Sequence, residues 1–377
     1  MLSLLHDLFA WAPLGLPAFV FVITFVVFFH ELGHYLVARA CGVSIETFSI
    51  GFGSEIFGWT DRKGTRWKVS WLPFGGYVKF LGDADAASTP DRERVAAMDS
   101  GEKSSVLLFK PLYQRALIAV AGPAANFILA FVVFTVLFTT YGAKELSTYI
   151  GAVQPRAPAA VAGIKPGDKI IAINGERVHT FYGDLMDTIL SSKSKSLSIL
   201  IDRNGRSLTM DVTPGWIDNT DVYGAHLETR GIGVSPAGES AQNTVYIPIL
   251  AAKAPLIAMV QTWRIVDVSL VGVWRMVSHR ADASQLTGVI GIAGVSQKAA
   301  SQGLYDLISL IAFISVSIGL INLFPIPLLD GGHLLYYGCE AVLGRPLGER
   351  VQDVGFRVGL ALVVALVIFA AWNDLVR

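Results

Sequence analysis

The sequence predicts a polytopic α-helical membrane protein with about four transmembrane helices and an inserted external domain of mixed α/β structure. Of the 377 residues, 53% are hydrophobic and only 16% are charged, which suits a membrane protein. Four apolar segments have the length of a bilayer span, and a long stretch separates the second from the third. The chain is therefore long enough to carry a water-soluble domain as well.

The four predicted spans follow from length and continuous hydropathy, since about 20 apolar residues cross the hydrocarbon core of a bilayer. They cover residues 16 to 40, 115 to 141, 307 to 324 and 354 to 372. A fifth apolar segment, residues 254 to 277, is interrupted by Arg264, Asp267 and Arg275. We expect it to be an amphipathic helix that lies on the membrane or packs on the helix bundle.

The lysines and arginines beside these segments predict which ends face the cytoplasm, because short cytoplasmic flanks are enriched in both residues. Residues 1 to 14 contain neither, whereas the loop of residues 41 to 110 contains nine. We therefore expect the N-terminus outside, this loop inside, and the long segment between the second and third spans outside. The N-terminal stretch lacks the basic start of a signal peptide, so we expect it to stay attached.

Charge and cysteine content argue against other classes of site. The formal net charge is +0 and no basic cluster stands out, so nothing indicates nucleic-acid binding. Cys41 and Cys339 both fall on the predicted cytoplasmic side, where thiols remain reduced. We expect small packing residues there rather than a disulfide or a cysteine zinc cluster.

A metal-binding pattern lies at the inner end of the first apolar segment. Residues 30 to 34 read His-Glu-Leu-Gly-His, which places His30 and His34 one helical turn apart on one face, with Glu31 beside them. Ionisable groups in a membrane span are costly and usually functional. The pattern predicts a catalytic zinc site in which Glu31 is the general base for amide hydrolysis. The alternative is a pair of histidines that only hydrogen-bond across a helix bundle.

A catalytic zinc needs a third protein ligand, and the end of the third span is the expected source. The first and third spans run in the same direction, so their inner ends share one face of the bilayer. Residues 322 to 333 read Asn-Leu-Phe-Pro-Ile-Pro-Leu-Leu-Asp-Gly-Gly-His, a helix-breaking stretch that places Asp330 at this depth. Two alternatives stay open. Asp330 would only cap a helix that starts at Gly331, or His333 would be the ligand or its hydrogen-bonding partner.

Five short motifs follow one another along the chain. They are the two stretches above together with residues 51 to 53 (Gly-Phe-Gly), 72 to 79 (Leu-Pro-Phe-Gly-Gly-Tyr-Val-Lys) and 122 to 127 (Gly-Pro-Ala-Ala-Asn-Phe). In this order they resemble the site-2 protease family of intramembrane zinc metalloproteases, and specifically its bacterial RseP-like branch. The resemblance implies that His30, His34 and Asp330 bind one Zn²⁺ per chain. It also implies that Glu31 is the catalytic base and that Asn322 holds the substrate.

The resemblance further implies a membrane-dipping β-hairpin at residues 48 to 80, although a simple cytoplasmic hairpin has the same local pattern. An exposed strand edge there would pair with an unwound substrate helix. Residues 122 to 127 also have a purely structural explanation. Small residues let helices pack closely, and Asn126 can hydrogen-bond across the bundle.

Residues 146 to 215 of the external segment resemble a PDZ domain. The resemblance rests on residues 162 to 175, which contain a glycine turn, a strand of alternating apolar residues and an Asn-Gly hairpin turn. Ile150, Gly151 and Ala152 would be the loop that receives a peptide carboxylate on backbone N–H groups. Peptide capture and steric gating would use the same fold, so both stay open.

The expected domains follow from these assignments. They are residues 1 to 141 (N-terminal membrane part with the zinc motif and the hairpin), 146 to 215 (PDZ domain), 216 to 304 (external, membrane-associated amphipathic helices) and 305 to 377 (C-terminal membrane part with the third zinc ligand). Residues 216 to 304 lack a second PDZ pattern.

The leading hypothesis is an intramembrane zinc metalloendopeptidase of a bacterial inner membrane, with the N-terminus and PDZ domain in the periplasm and the active site toward the cytoplasm. Its partners would be the bilayer and single-pass membrane proteins already trimmed outside the membrane, which the resemblance implies are anti-sigma factors or signal-peptide remnants. Two alternatives are a non-catalytic PDZ membrane receptor and an ion transporter. The intact Glu31 argues against the first, and the lack of an internal repeat argues against the second.

Overall fold

The computed structural model describes residues 2–85, 91–192, 196–220, 226–240, 242–278 and 288–376. The chain divides into two compact units. The helical unit comprises Met1–Val136, Pro255–Val271 and Ala283–Arg377, and the strand unit comprises Leu137–Ala254 and Gly272–Asp282. The strand unit contains most of the segment between the second and third spans, and the predicted domain boundaries stay predictions.

Helices dominate the first unit and strands the second. The described helices are α1 (Leu2–Ala40), α2 (Arg92–Ala97), α3 (Ser100–Lys103), α4 (Leu112–Thr140), α5 (Pro158–Val161), α6 (Asp187–Ser191), α7 (Ala254–Val277), α8 (Val289–Gln302), α9 (Leu304–Asn322), α10 (Asp330–Leu343) and α11 (Glu349–Val376), with a 3₁₀ turn at Leu107–Phe109 and a π-helical turn at Phe181–Met186. The described strands are β1 (Ile45–Thr60), β2 (Arg66–Phe80), β3 (Ala143–Leu146), β4 (Ile150–Val153), β5 (Lys169–Ile173), β6 (Glu176–Arg177), β7 (Leu197–Arg203), β8 (Arg206–Val212), β9 (Gly215–Thr220), β10 (His226–Gly231), β11 (Val234–Pro236) and β12 (Thr244–Ile247).

Five of the described helices are long and apolar enough to cross a membrane. They are Leu14–Ala40, Leu112–Thr140, Ala254–Val277, Leu304–Asn322 and Arg350–Val376. All four predicted spans are among them. The fifth is α7, for which the sequence predicts an amphipathic helix. Its mean hydropathy of 1.5 is the lowest of the five, yet its length and composition also suit a span. The expected number of about four spans is therefore corrected to five candidates.

Close packing around α1 brings its C-terminal half against several other helices. Val22 and Val26 are fully buried and pack with α8 and α9. Nearer the end of α1, a Cβ added at Gly33 would lie 2.3 Å from the carbonyl oxygen of Ala121 in α4. Only glycine allows the two backbones to approach this closely. The residues on either side of Gly33 are therefore held beside α4.

Residues 45 to 80 form an antiparallel hairpin of β1 and β2. The pairing begins with Ile45 opposite Phe80, continues through several register shifts and ends with Thr60 opposite Arg66. The predicted hairpin is present, and its strands are longer than the short segments that the local pattern indicates. Because pairing between the strands supplies the backbone hydrogen bonds, even residues of weak intrinsic β propensity adopt the strand conformation here.

The turn of this hairpin is fixed to α1 by Asp61. Its carboxylate accepts hydrogen bonds from the Tyr35 hydroxyl at 3.1 Å and from the Trp67 indole N–H at 3.0 Å. Burial alone would raise the pKa of Asp61, but hydrogen bonds from Trp67 and from the Thr65 and Lys63 backbones hold that pKa at about 2. Asp61 is therefore ionised at neutral pH, and this end of the hairpin stays anchored to the helix.

The strand unit is built around a four-stranded antiparallel sheet in the order β6-β5-β7-β8. Its core contains fully buried isoleucines at alternating positions, as expected for strands with one face inward, including Ile199 and Ile201 of β7. Asn174 and Gly175 connect β5 to β6 with φ values of 50° and 86°, which is the predicted Asn-Gly hairpin turn. The assignment of residues 146 to 215 as a PDZ domain stays a prediction.

The first part of residues 216 to 304 differs from the helices predicted there. It contains β10 to β12 and most of β9, and β11 and β12 pair with β4 and β3. The strand unit therefore extends beyond residue 215. These strands pair with partners about 80 to 100 positions away, so the local sequence does not indicate that they form. The later part is helical as expected, in α7 and α8, and residues 279 to 287 lie outside the described part.

Candidate metal centre

Three side chains converge at the point where α1 meets the start of α10. His30 Nε2 lies 3.2 Å from Asp330 Oδ2, and His34 Nε2 lies 3.4 Å from Asp330 Oδ1. The two Nε2 atoms are 3.3 Å apart. Within the described part of the chain, these three residues form a group whose ligand atoms all lie within 4.8 Å of one another. The structure thus brings together the three side chains that the sequence predicts as ligands, and their role in metal binding stays a prediction.

The cluster fits a divalent cation better than it fits a hydrogen-bonded network. His34 Nδ1 lies 2.8 Å from the carbonyl oxygen of Ile118, and since a carbonyl can only accept, the Nδ1 atom carries the proton. The Nε2 lone pair of a neutral His34 then faces the cluster. Among the described residues, buried Asp330 Oδ2 makes no well-aligned hydrogen bond, although His30 Nε2 lies 3.2 Å away. Two imidazoles and one carboxylate form a donor set that suits a catalytic zinc and leaves a fourth position for water.

The helix break between α9 and α10 places Asp330. α9 ends at Asn322, and the connecting loop contains Leu328 with a φ of 101°, a conformation that is strained for a non-glycine residue. A Cβ added at Gly331 would lie 2.2 Å from the Phe324 carbonyl oxygen, so only glycine allows the loop to fold this tightly. Leu329 occupies the N-cap position of α10. Asp330 therefore lies in the first turn of α10 and does not occupy its N-cap position.

His333, the rival ligand, lies one helical turn after Asp330. It lines the same cavity as the cluster but does not belong to the three-residue group. Its ring centroid is 6.4 Å from that of Tyr337 on the same helix. The geometry therefore favours Asp330 over His333 as the third ligand.

Glu31 faces the same cavity, beside the histidine pair. Strand β2 passes close to it, because a Cβ added at Gly76 would lie 3.2 Å from Glu31 Cγ, and Val78 lines the same cavity. Asn322, at the end of α9, also lines the cavity. Both residues therefore lie where a molecule that entered the cavity would meet them.

The cavity around the cluster has a volume of about 340 Å³ and mixes polar with apolar walls. Part of its wall is an ion pair between Arg115 of α4 and Glu340 of α10, with an Nη1–Oε2 distance of 3.0 Å. The Arg115 guanidinium also lies over the Tyr337 ring, 5.1 Å from its centroid. There is room for water beside the metal ligands, which hydrolysis requires and a closed structural zinc site does not offer.

Residues 150 to 152, predicted to receive a peptide carboxylate, belong to the strand unit and to β4. The backbone N–H of Ile150 donates to the Asp168 carbonyl at 2.8 Å, and the Ile150 carbonyl accepts from the Gly167 N–H at 2.8 Å. Ala152 is paired with Ser235 of β11. Part of the backbone in this segment is thus already hydrogen-bonded, and the proposed peptide contact there stays a prediction.

One face of α4 contributes contacts to the metal centre that the sequence analysis did not assign to it. Ile118 contacts His34 through its carbonyl oxygen, and Asn126 contacts His30 through its amide. The motif at residues 122 to 127 contributes to the family resemblance, and its structural explanation is close helix packing with Asn126 as a hydrogen bond across the bundle. The signal that could have located these contacts is the spacing of four residues between positions 118, 122 and 126.

Gly122→Ala is expected to weaken zinc binding sharply. A Cβ at this position would lie 2.2 Å from His34 Nε2 and 2.8 Å from His30 Cε1, so it would displace the ligands. Alanine is favoured over glycine inside a helix by about 1 kcal/mol, which excludes a loss of helix propensity as the cause. Zinc content after purification measures the effect.

Gly338→Ala is the matched control, because Gly338 is also helical and has nothing within 4 Å of an added Cβ. It should retain full zinc. Equal zinc in both variants would show that Gly122 does not limit the space at the cluster.

Comparisons with known proteins agree with this chemistry. The family model described as "Peptidase family M50" matches residues 18–366. A protein of Rhizobium meliloti named "Putative zinc metalloprotease" is 41% identical over 362 residues, which cover 96% of each chain. A Caulobacter vibrioides protein named "Metalloprotease MmpA" is 39% identical over 386 aligned residues, which cover 96% of this chain and 95% of the relative.

Proposed function

The chain belongs to peptidase family M50, and from that premise we propose that it hydrolyses peptide bonds within the transmembrane segment of single-pass membrane proteins. The observation that carries the proposal is the cluster of His30, His34 and Asp330, with Glu31 beside it in one cavity. This cluster lies near the end of an apolar helix of span length. Zinc is the cofactor, and it is the metal that the relatives' names print.

The residues that line this cavity have different roles in the proposed reaction. His30, His34 and Asp330 would hold the zinc ion, which would supply Lewis acidity for the scissile carbonyl. Glu31 takes a proton from the attacking water and delivers it to the leaving amine. Asn322 lies at the end of α9, before the loop that leads to Asp330, and it lines the same cavity. Its amide would donate a hydrogen bond to the substrate backbone.

The β1–β2 hairpin would present an extended substrate to Glu31. A transmembrane helix hides its backbone, so hydrolysis requires local unwinding, and a strand beside the base can pair with the unwound segment. β2 passes next to Glu31 at Gly76, and Val78 of the same strand lines the cavity that Glu31 faces. The rest of the hairpin exposes a group of large apolar side chains, which supports its entry into the lipid. They are Phe52, Ile56, Phe57, Trp59, Val69, Trp71 and Leu72.

The same proposal includes a location and a substrate class. The proposed location is a bacterial inner membrane. The distribution of lysines and arginines supports an orientation with the N-terminus and strand unit outside and the zinc centre toward the cytoplasm. The strand unit, proposed as a PDZ domain, would admit or capture proteins already trimmed outside the membrane. Anti-sigma factors and signal-peptide remnants fit this class.

Reconstitution in vesicles tests the proposal directly. The full chain is incorporated into proteoliposomes with a single-pass substrate whose transmembrane helix contains Gly and Pro near its centre. We expect cleavage inside that helix, located by mass spectrometry of the fragments, because helix-breaking residues lower the cost of unwinding.

A uniform polyleucine helix of the same length and flanks is the control, and it should be cut far more slowly. Equal turnover of both helices, or cleavage confined to the loops outside the bilayer, would contradict the proposed substrate class.

A further inference from the structure

The two histidines of α1 each present their second ring nitrogen to one face of α4. His34 Nδ1 lies 2.8 Å from the Ile118 carbonyl oxygen, and His30 Nδ1 lies 3.3 Å from Asn126 Nδ2. Ile118, Gly122 and Asn126 are spaced by four residues, so they share this face. Ile118 and Asn126 of this face therefore contact the two imidazoles at the ring nitrogens that do not face Asp330.

The contact at His30 differs in kind from the contact at His34. An amide NH₂ group only donates, so with Asn126 Nδ2 toward the ring, His30 Nδ1 must act as the acceptor. The proton of a neutral imidazole would then lie on Nε2, which is the atom that faces His34 and Asp330. A protonated Nε2 cannot bind a cation. The zinc-binding tautomer of His30 needs an acceptor opposite Nδ1 instead.

Asn126 contains that acceptor in its own side chain. The residue is 0% exposed, and its buried Oδ1 has no hydrogen-bond partner among the residues that the structure describes. A half-turn of the amide exchanges Oδ1 and Nδ2 with almost no change in shape. The backbone at this position is held separately, because the Ser315 hydroxyl donates to the Asn126 carbonyl oxygen at 2.9 Å. The amide can therefore turn without moving α4.

We propose that Asn126 is a positioning residue for zinc, whose Oδ1 accepts the Nδ1 proton of His30 and so directs the Nε2 lone pair to the metal. The proposal rests on the zinc centre of the proposed function. Hydrogen bonds of this kind fix the tautomer and orientation of a ligating histidine, and their loss weakens metal binding by about 10–100-fold.

Competition for Zn²⁺ with a chromophoric chelator tests this on the purified full chain. Asn126→Leu has a similar shape and no acceptor, so its zinc affinity should fall by about 10–100-fold. Asn126→Asp offers only acceptors to His30, so it should bind zinc at least as tightly as the wild type. Ser315→Ala is the matched control. It removes a buried hydrogen bond at the same place on α4 without touching His30, and its affinity should not change.

Two further readouts separate positioning from general damage. Thermal unfolding of the metal-free protein measures any general loss of stability in Asn126→Leu and Ser315→Ala, and the Co²⁺ absorption spectrum should change only in Asn126→Leu. Wild-type zinc affinity in Asn126→Leu would overturn the proposal. Weaker binding in Asn126→Asp than in the wild type would overturn it even if the leucine variant failed to fold. If Asp330→Ala loses zinc while Asn126→Leu keeps it, the zinc centre stands and only the role of Asn126 fails.

Discussion

Glu31→Gln is expected to abolish peptide hydrolysis while the protein keeps one zinc per chain. Glutamine has the shape of glutamate but neither takes a proton from water nor delivers one to an amine. General acid–base catalysis contributes about 10²–10⁴-fold to a rate, so the rate of cleavage should fall by at least this factor. Zinc should stay because Glu31 lies beside the three-residue cluster and is not one of its members. Single-turnover cleavage in proteoliposomes and zinc content measure the two properties on the same sample.

Glu340→Gln is the matched control, because Glu340 is a second glutamate in the wall of the same cavity. Glutamine at this position still accepts a hydrogen bond from Arg115, so most of the cleavage rate should remain. Cleavage by Glu31→Gln at the wild-type rate would show that Glu31 is not the catalytic base. Loss of zinc in that variant would instead assign Glu31 to the metal.

Local patterns, together with the shared direction of the first and third spans, led to the prediction that His30, His34 and Asp330 lie together. The spacing of His30 and His34 indicates one helix face, and the prolines and glycines before and after Asp330 indicate a helix break at the matching depth. Both signals depend on residues close together in the chain. The structure adds the reason for the glycine pair, since Gly331 packs against the Phe324 carbonyl where no side chain fits.

Contacts between distant segments could not be predicted in the same way. The pairing of β11 with β4 joins residues about 80 positions apart, and neither strand is long enough to stand out by its own composition. Asn126 is a similar case, because its contact with His30 crosses 96 positions and depends on how closely α1 and α4 approach. A buried amide in a span predicts a hydrogen bond, but the sequence does not name the partner.

The second large effect concerns the ligand from α10. Asp330→Ala is expected to lose zinc, and with it all hydrolysis, because two histidines alone hold a catalytic zinc weakly. The loss of affinity should exceed the 10–100-fold that a missing hydrogen bond to a ligand costs. His333→Ala is the control, since His333 lies one turn further along the same helix, in the same cavity and outside the three-residue cluster. Its zinc content should stay near one per chain. The opposite pattern, in which His333→Ala is metal-free and Asp330→Ala keeps zinc, would assign the third ligand to His333, and the short distances between Asp330 and the two histidines would then reflect hydrogen bonding alone.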